Sequence, residues 1–439
     1  MARYVVVMTD KNEIQTDVLI VGGGMIGVSQ ALALASAGLR SVVVERQPPE
    51  ALTAMDHDGR VSTLSYGSAA LFGQIGAWEH MADHAEPIAE IRVADNGAPL
   101  FLHFDHREVG DRPFGFTVEN RYIRLALHKV LAQADDVNLI APGDVRSMER
   151  NLGGVRAELS DGRAIRAALA VGAEGRNSPL REAAGIRCLS WQYDQTAIVT
   201  TVRHEVGHGG IAAELFLPAG PFALLPMRGN RSALIWTEKG RDVPALLALD
   251  DAAFNAEIMA RAGDHWGRIE CDAPRWSYPL GLQNAERYID TRLALIGDAA
   301  HGMHPVAGQG LNLGLIGERQ GLRLCLVGGR YGLIIGFTGI DLIALLAVAD
   351  FLAIVFIFVM VVVVSIVFIF AGGLGLIDTV VLALSLTLVP ILAIVETLAM
   401  VVALSVVVGV GLIPVVAVAL TPAPAIAATV TPAQTCSIQ

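Results

Sequence analysis

Three glycines near the start of the chain have the spacing of a turn that binds a pyrophosphate. Gly22, Gly24 and Gly27 fit the pattern G-x-G-x-x-G. In that pattern one glycine makes the turn, one lets the backbone approach the phosphates, and one lets a helix pack on a strand. Glu45 follows Gly22 by 23 positions, where an acid accepts hydrogen bonds from a ribose. We expect a dinucleotide site; the alternative is a glycine-rich turn without a ligand.

The residues around these glycines predict the elements that such a site needs. Val18 to Val21 is typical of a buried parallel strand, residues 26 to 37 of a helix, and residues 41 to 44 of a second strand. The start of the helix offers free N–H groups and a partial positive charge to an anion. Arg46, which follows Glu45, is included among the expected cofactor-binding residues.

A second acid is predicted at the edge of the same sheet. The apolar run from Leu293 to Ile296 delivers Asp298 just beyond a strand, at the edge where open α/β sheets bind their ligands. Asp298 can accept hydrogen bonds from another hydroxyl-bearing part of the cofactor. His301 and His304 follow and are either core or capping histidines or proton-transfer groups.

The loop after these histidines is rich in glycine. Pro305 begins it, and Gly308, Gly310 and Gly314 let the backbone approach a flat ligand. A helix that follows would point its positive N-terminus at the ligand. For a flavin, such N–H donors stabilise the negative charge of the reduced ring.

A third segment, ALAVGAEGRNSPLREAAGI, covers residues 168 to 186. We expect a strand that ends at Gly172, an acid at Glu174, and a helix that Pro179 opens, where its missing N–H costs nothing. Arg176 and Arg181 are either surface charges or part of an anion site. Two further arginines, Arg60 before a stretch with mostly helical spacing and Arg124 within a predicted helix, are on their own typical of solvated charges.

A second layer of structure is predicted to be mainly strands. The turn at residues 95 to 97 predicts a hairpin within residues 88 to 104, and Gly229-Asn230 predicts another. The large side chains of the resulting sheet either line one side of an apolar pocket or pack within the sheet. These are Phe216, Phe222, Leu224, Met227, Ile235 and Trp236.

Composition narrows the class of protein. The chain has 439 residues, of which 53% are hydrophobic, and its mean hydropathy is +0.51. All 32 basic residues lie before residue 331, together with 39 of the 43 acids. This mildly acidic part has no general attraction for nucleic acid. The four cysteines form no C-x-x-C pair, so we predict no metal site and no disulfide framework, and a reduced cytosolic setting.

The last third of the chain is almost without charge. Residues 342 to 371 and 379 to 412 are long enough to span a bilayer. However, no basic residue flanks them, and Asp350 and Glu396 would lie inside the spans. We therefore favour a tail that is not an evolved membrane domain, and a shifted reading frame after about residue 316 is a hypothesis that fits.

Three motifs, VGGGMIG with Glu45, VGAEGRNSPLR and GDAAHGMHPVAGQGLNLGL, together resemble the flavin-dependent aromatic hydroxylases, most closely their ubiquinone-biosynthesis branch. The resemblance covers residues 16 to 315. It implies an α/β fold like that of p-hydroxybenzoate hydroxylase: a discontinuous Rossmann-type FAD-binding domain with a β-sheet substrate domain and, here, an atypical apolar tail. The expected boundaries are an extension at 1–15, FAD-binding parts at 16–85, 106–186 and 286–328, substrate-domain parts at 86–105 and 187–285, and the tail at 329–439.

The resemblance also assigns roles to residues. It implies that Arg60 and Arg124 contact FAD, that Asp298 binds the ribityl chain, and that Pro305 lines the reacting side of the ring. The backbone of Gly310, Leu311 and Asn312 is expected to meet the isoalloxazine, and His304 is grouped with Pro305 as catalytic. The middle motif normally reads G-A-D-G, whereas Glu174 stands here in place of the aspartate.

The implied function is an FAD-dependent monooxygenase. NAD(P)H reduces FAD, O₂ adds to give a flavin C4a-hydroperoxide, and one oxygen passes to a phenol ring, expected to be prenylated. The implied setting is cytoplasmic and peripheral at the inner face of a membrane, with association with the membrane surface or with quinone-pathway proteins as an option. The alternatives are a flavin oxidoreductase that moves hydride without inserting oxygen, and a non-catalytic, membrane-associated chain with an incomplete flavin site.

Overall fold

A computed structural model describes residues 13–56, 58–95, 101–305 and 308–315. The first sheet has six strands around the predicted βαβ unit. Its order is Ile289–Asp290, Leu293–Leu295, Leu169–Gly172, Val18–Val21, Ser41–Val44 and Val137–Ile140. All neighbours are parallel except the first pair.

The central strands of this sheet are buried because both of their faces are covered. Every residue of Val18–Val21 and Ser41–Val44 is buried. Val18 and Ile20 face Ala31 and Leu34 of the helix Met25–Ser36. The opposite face packs on a four-stranded sheet in the order Glu13–Gln15, Ala164–Ala167, Gly154–Leu159 and Val145–Asn151. The last three residues of the predicted N-terminal extension are therefore part of a sheet.

The helices are short and mostly lie between strands. The α-helices are Met25–Ser36, Pro49–Leu52, Tyr66–Gln74, Asn120–Leu131, Pro179–Ala183, Val243–Leu247 and Asp251–Ala262, and residues 309–315 are also helical. The 3₁₀ turns are Trp78–His80, Ala82–His84, His106–Glu108, Asp264–Trp266 and Gly297–Ala299.

A three-stranded sheet departs from the expectation of a mostly helical stretch after Arg60. Val61–Ser65 is a strand that pairs with Gly115–Glu119, which in turn pairs with Glu86–Ile88. The helix starts only at Tyr66, where the side chain of Ser65 caps it. The β-branched residues Val61 and Thr63 favour the strand. This strand was not predicted from the sequence because the apolar residues after it have helical spacing.

The largest sheet has nine strands and carries both predicted hairpins. Its order is His301–Gly302, Trp276–Ala285, Cys188–His204, Arg231–Lys239, Gly220–Met227, Ile211–Leu217, Glu90–Asp95 and Phe101–Asp105, and Ile269–Cys271 also pairs with Cys188–His204. The antiparallel pairing of Glu90–Asp95 with Phe101–Asp105 and of Gly220–Met227 with Arg231–Lys239 confirms the hairpins.

The two faces of this sheet have different surroundings. Phe222, Leu224 and Trp236 are buried on one face against Phe254 and Ile258 of the helix Asp251–Ala262. These large side chains therefore pack within the domain. Ile235 lies on the opposite face in a separate cluster with Val199, Leu280 and Tyr278. That second face is the one that meets the residues of the predicted flavin site.

Two sets of predictions lie outside the described residues. They are the first twelve residues of the N-terminal extension and everything after residue 315, including both apolar stretches and the proposed change of reading frame. Within the described ranges, no helix combines the length and the apolar character that crossing a membrane requires.

Candidate active site

The glycine turn has the close contacts that require glycine at two of its three positions. Gly22 has a φ of +107°, and a Cβ there would come within 2.4 Å of the Ala173 carbonyl oxygen. A Cβ on Gly27 would come within 1.9 Å of the Gly22 carbonyl oxygen. The turn is therefore pressed between the helix Met25–Ser36 and the segment after the strand Leu169–Gly172.

Gly24 behaves differently from its two neighbours. A Cβ on Gly24 would meet no protein atom within 4 Å, and the residue is exposed. Gly24 is also the N-cap of the helix, which has no side-chain cap, so N–H groups of its first turn remain for a ligand. A cradle that is tight on the protein side and open on the other fits the pyrophosphate of FAD.

Glu45 fixes this turn from the second strand. Its Oε2 accepts a hydrogen bond of 2.6 Å from the N–H of Gly23, and its Oε1 accepts one of 2.8 Å from Gln47. His128, from the helix Asn120–Leu131, lies beside Gly23 and Glu45. Burial lowers the pKa of His128, and the charge of Glu45 only partly offsets that. The sequence did not single out His128, although it lies one helical turn after Arg124.

Arg60 and Arg124 converge on one carboxylate. Asp58 Oδ2 is 2.6 Å from Arg60 Nη2 and 3.9 Å from Arg124 Nη1. Burial works against ionisation of Asp58, but the hydrogen bonds and the charge of Arg60 outweigh it, so the pKa of Asp58 is lowered. Tyr278 of the large sheet donates a 2.9 Å hydrogen bond to the Asp58 carbonyl. The two arginines are thus held by a partner that the sequence did not reveal.

Glu174 supports the middle motif internally. Its Oε2 accepts hydrogen bonds from Ser178 Oγ at 2.5 Å and from the Leu180 N–H at 3.2 Å. Burial raises the pKa of Glu174 despite these bonds and the nearby charges of Arg46 and Arg181. Arg46 is itself exposed. The Glu174 carboxylate therefore caps the start of the helix Pro179–Ala183.

Arg181 is buried, which corrects the surface-charge alternative for this residue, and Arg176 is only partly exposed. Arg181 is only 5% exposed and donates to the carbonyls of Ala299 and Arg176, at 3.0 and 2.8 Å. Arg176 donates to the carbonyls of Gly281 and Met303 and lies 3.6 Å from Asp298. The middle motif therefore clamps the segment that carries Asp298.

The third motif meets the glycine turn at Ile26. A Cβ on Gly297 would come within 3.2 Å of the Ile26 side chain, and one on Gly314 within 2.6 Å. Asp298, next to Gly297, is about half exposed, so its carboxylate is accessible to a ligand. Residues separated by nearly 300 positions therefore surround the start of one helix.

The glycine loop is tied to the three-stranded sheet. Gly308 has a φ of +61°, and a Cβ there would come within 2.9 Å of Thr63 Cβ. Asn312 is 1% exposed, and its amide donates to the carbonyls of Thr63 and Gly308 and accepts from the Ser65 N–H and the Ser68 hydroxyl. The Asn312 side chain thus holds the loop, which leaves its backbone for the predicted flavin contact.

The remaining predicted residues lie around this loop. His304 makes an edge contact with Tyr193 at 5.3 Å, and burial lowers its pKa. Pro305 is exposed, and its carbonyl accepts from the Gly308 N–H. A Cβ on Gly310 would meet no protein atom within 4 Å, whereas Leu311 packs on the core beside the helix Asn120–Leu131. Their contacts with FAD remain predictions.

His301 is the second histidine of this segment and lies deeper. Its ring is 5.8 Å from that of Tyr288, and burial lowers its pKa although Asp298 works in the other direction. Its Nδ1 is buried without a hydrogen-bond partner among the described residues. These contacts agree with the core alternative.

One group of possible metal ligands occurs among the described residues, away from these motifs. Glu90, His103 and Asp105 have ligand atoms within 4.8 Å of one another. Arg92 donates to Glu90, and Arg107 donates to Asp105. Because each carboxylate is already paired with an arginine, we assign no metal to this group.

Comparison with known proteins identifies the family. A family model described as an FAD binding domain matches residues 15–317. Ubiquinone hydroxylase UbiL from Rhodospirillum rubrum is 52% identical over 299 residues, which cover 68% of this chain and 70% of that protein. The 3-demethoxyubiquinol 3-hydroxylase of Escherichia coli is 34% identical over 301 residues, covering 68% and 76%. The human mitochondrial ubiquinone biosynthesis monooxygenase COQ6 is 32% identical, covering 68% and 74%.

Solved structures share the fold. PqsL from Pseudomonas aeruginosa, in complex with 2-aminobenzoylacetate, matches with a TM-score of 0.62 and 21% identity over 73% of this chain and 88% of that chain. The p-nitrophenol 4-monooxygenase PnpA from Pseudomonas putida matches with a TM-score of 0.59 and 18% identity, over 73% and 82%. These neighbours confirm the predicted α/β fold class, with its Rossmann-type FAD-binding domain and sheet-bearing second domain. The chain therefore belongs to the FAD-dependent aromatic hydroxylases of the ubiquinone-biosynthesis branch.

Proposed function

We propose that this chain hydroxylates the ring of a prenylated phenol in ubiquinone biosynthesis, with FAD as cofactor and NAD(P)H and O₂ as co-substrates. The observation that carries the proposal is the meeting of the three motifs at the glycine turn. Ala173 of the middle motif lies against Gly22, and Ile26 at the start of the helix lies against Gly297 and Gly314 of the third motif. The relatives named above, whose names refer to ubiquinone hydroxylation, support the substrate class.

The proposed residue roles follow the geometry. Gly22, Gly24 and Gly27 form the pyrophosphate cradle. Glu45 accepts a hydrogen bond from a hydroxyl of the adenosine ribose, which replaces one of the two backbone N–H groups that now donate to its carboxylate. Asp298, half exposed beside Arg176, binds the ribityl chain. The remaining proposed FAD contacts are Arg46, Arg60, Arg124, Glu174, Gly310, Leu311 and Asn312, with His304 and Pro305 on the reacting side.

FAD, when bound, supplies the activation of O₂ for transfer of one oxygen atom to the ring. The protein binds and orients the reactants and excludes water. The helix 309–315 directs its first N–H groups toward the loop and favours negative charge there. Burial lowers the pKa of His304 and so favours its neutral imidazole, which is the form that can accept a proton on the reacting side of the ring.

The domain division is part of the same proposal. The six-stranded sheet and the segments 16–85, 106–186 and 286–328 are assigned to FAD, and 86–105 with 187–285 to the substrate. The hydrogen bond from Tyr278 of the nine-stranded sheet to the Asp58 carbonyl supports a substrate site between this sheet and the flavin segments. Because a prenylated substrate partitions into lipid, we propose that the protein acts at a membrane surface or in association with other quinone-pathway proteins.

Isotope labelling tests the reaction. The purified protein, loaded with FAD, is incubated with NADH or NADPH, a prenylphenol and ¹⁸O₂, and the product is examined by mass spectrometry. One ¹⁸O atom in the ring product is expected. Oxidation of NAD(P)H with no label in any ring product would instead establish the hydride-transfer alternative.

A spectrum of the isolated protein tests the non-catalytic alternative. Mild purification should give a yellow protein with flavin absorbance. Failure to bind added FAD would show that the site is incomplete and would exclude the proposed activity.

A further inference from the structure

Glu214 is a carboxylate on the substrate sheet that none of the roles above uses. It lies in the strand Ile211–Leu217 and is half buried. Within the described ranges no side chain or backbone N–H donates to it, and burial alone raises its pKa. An unpaired carboxylate in apolar surroundings costs stability, and such groups are concentrated at functional sites.

The pairing of strands shows which face of the sheet carries Glu214. Residues directly opposite one another in neighbouring strands share a face. Glu214 lies opposite Ala223, Ala223 opposite Ile235, and Ile235 opposite Val199. Ile235 and Val199 belong to the cluster that contains Tyr278. Glu214 is therefore on the face that meets Asp58 of the flavin segments, opposite the helix-covered face.

The position of the carboxylate along this face is also constrained. Three strand spacings, about 14 Å, separate it from Val199. Its own strand starts beside Gly210, whose carbonyl accepts from the Ala89 N–H just after the three-stranded sheet. That sheet contains Thr63, which contacts Gly308. The strand that carries Glu214 is therefore connected to the flavin segments at its first end through Gly210 and across the sheet through the cluster that contains Val199.

The neighbours of Glu214 are apolar. Val93 and Ala223 lie directly opposite it, and Ala212 and Phe216 lie on the same face of its own strand. Asp95, at the end of the neighbouring strand Glu90–Asp95, is the titratable residue of the adjoining strands that shares this face, and it is exposed. A polar group of a ligand that enters here meets one half-buried acceptor.

We propose that Glu214 binds the ring hydroxyl of the substrate phenol by accepting its hydrogen bond. The inference rests on the proposed function and deepens it. An O–H···O⁻ bond is charge-assisted and strong, and it shifts electron density from the phenol oxygen into the ring, which an electrophilic oxygen transfer requires. No covalent bond of the substrate changes in this contact. Glu214 thereby selects phenols over ring ethers and sets the ring's orientation.

Binding of a phenol and of its methyl ether tests this role. The probes are 2-methoxy-6-prenylphenol and its O-methyl derivative, titrated into the FAD-loaded protein while the flavin spectrum is followed. The wild type should bind the phenol about 10- to 100-fold more tightly than the ether, as expected for one hydrogen bond to a charged group. Equal affinities would overturn the proposal without the need for any variant.

Two variants sharpen the test. Glu214→Gln keeps the size but not the charge, and should reduce the preference for the phenol to a few-fold. Asp95→Asn removes an exposed carboxylate from the same face and should leave the preference unchanged. A loss as large in Asp95→Asn as in Glu214→Gln would show a general charge effect and exclude the specific contact. FAD absorbance and the melting temperature show whether each variant is folded.

The pH dependence separates binding from structural support. The preference of the wild type should fall as pH drops through the raised pKa of Glu214, because the protonated acid loses its charge, and it should be flat in Glu214→Gln. A profile that is the same in both proteins would contradict the proposal.

¹⁸O labelling of the same wild-type preparation distinguishes the two proposals. A phenol preference that depends on Glu214, without oxygen insertion, would refute only the hydroxylation. Insertion without that preference would refute only the role of Glu214.

Discussion

Gly27 lies against the carbonyl of Gly22 so closely that a Cβ on Gly27 would approach that oxygen to 1.9 Å. Because the obstacle is backbone at both ends, the turn must open to admit any side chain. We expect Gly27→Ala to lower the free energy of unfolding of the apoprotein by about 1–3 kcal/mol and to abolish FAD binding. Urea unfolding and FAD titration measure the two effects.

Gly24→Ala is the matched comparison. Its Cβ would enter open space, so the apoprotein should lose less than about 1 kcal/mol, as for alanine at an N-cap. FAD affinity should nevertheless fall more than tenfold, because the methyl group enters the space assigned to the pyrophosphate. Unchanged FAD affinity in Gly24→Ala would place the phosphates elsewhere.

Arg181→Met tests the clamp between the middle and third motifs. The variant leaves the carbonyls of Ala299 and Arg176 without their donor in a buried site. At about 1–3 kcal/mol for a buried unsatisfied group, we expect a loss of at least about 2 kcal/mol in urea unfolding, together with faster release of FAD. Arg187→Met, at an exposed pair with Glu286, should leave the free energy of unfolding nearly unchanged, because solvent screens such a pair. Equal losses in the two variants would contradict the clamp.

The sequence predicts the elements of this site better than their connections. The glycine spacing and the apolar strands identify the βαβ unit because both depend on local backbone geometry. The role of Arg181 was ambiguous because its neighbours in the sequence do not indicate whether its side chain faces water or a distant carbonyl. The carbonyl to which it donates belongs to a residue 118 positions away. Glu214 was overlooked because only the pairing of strands shows which face it lies on.

Asn312 links the glycine loop to the three-stranded sheet through both ends of its amide. Asn312→Asp replaces a donor to the carbonyls of Thr63 and Gly308 by a carboxylate that repels them. We expect a loss of at least about 2 kcal/mol in the free energy of unfolding and release of FAD, seen as an increase in free-flavin fluorescence. Ser68→Ala removes only one of the donors to Asn312 and should cost about 1 kcal/mol. A flavin that stays bound in Asn312→Asp would show that the loop is held by other contacts.

Glu174 should make stability depend on pH. Burial raises its pKa above the ordinary value of 4.5, so the folded state binds more protons than the unfolded state in the interval between the two values. Stability contributed by the protonated acid is therefore present below pH 4.5 and is lost as pH rises through the folded pKa. Glu174→Gln removes this slope and can still accept from Ser178, so its stability relative to the wild type should increase with pH.

Urea unfolding at several pH values from about 4.5 to about 8 measures this difference. Glu182→Gln, on the exposed side of the same helix, controls for the loss of one negative charge and should show no such trend. A difference between Glu174→Gln and the wild type that does not vary with pH would show that the pKa of Glu174 is the same in the folded and unfolded states, because the histidines that also titrate in this interval are present in both proteins and cancel in the comparison.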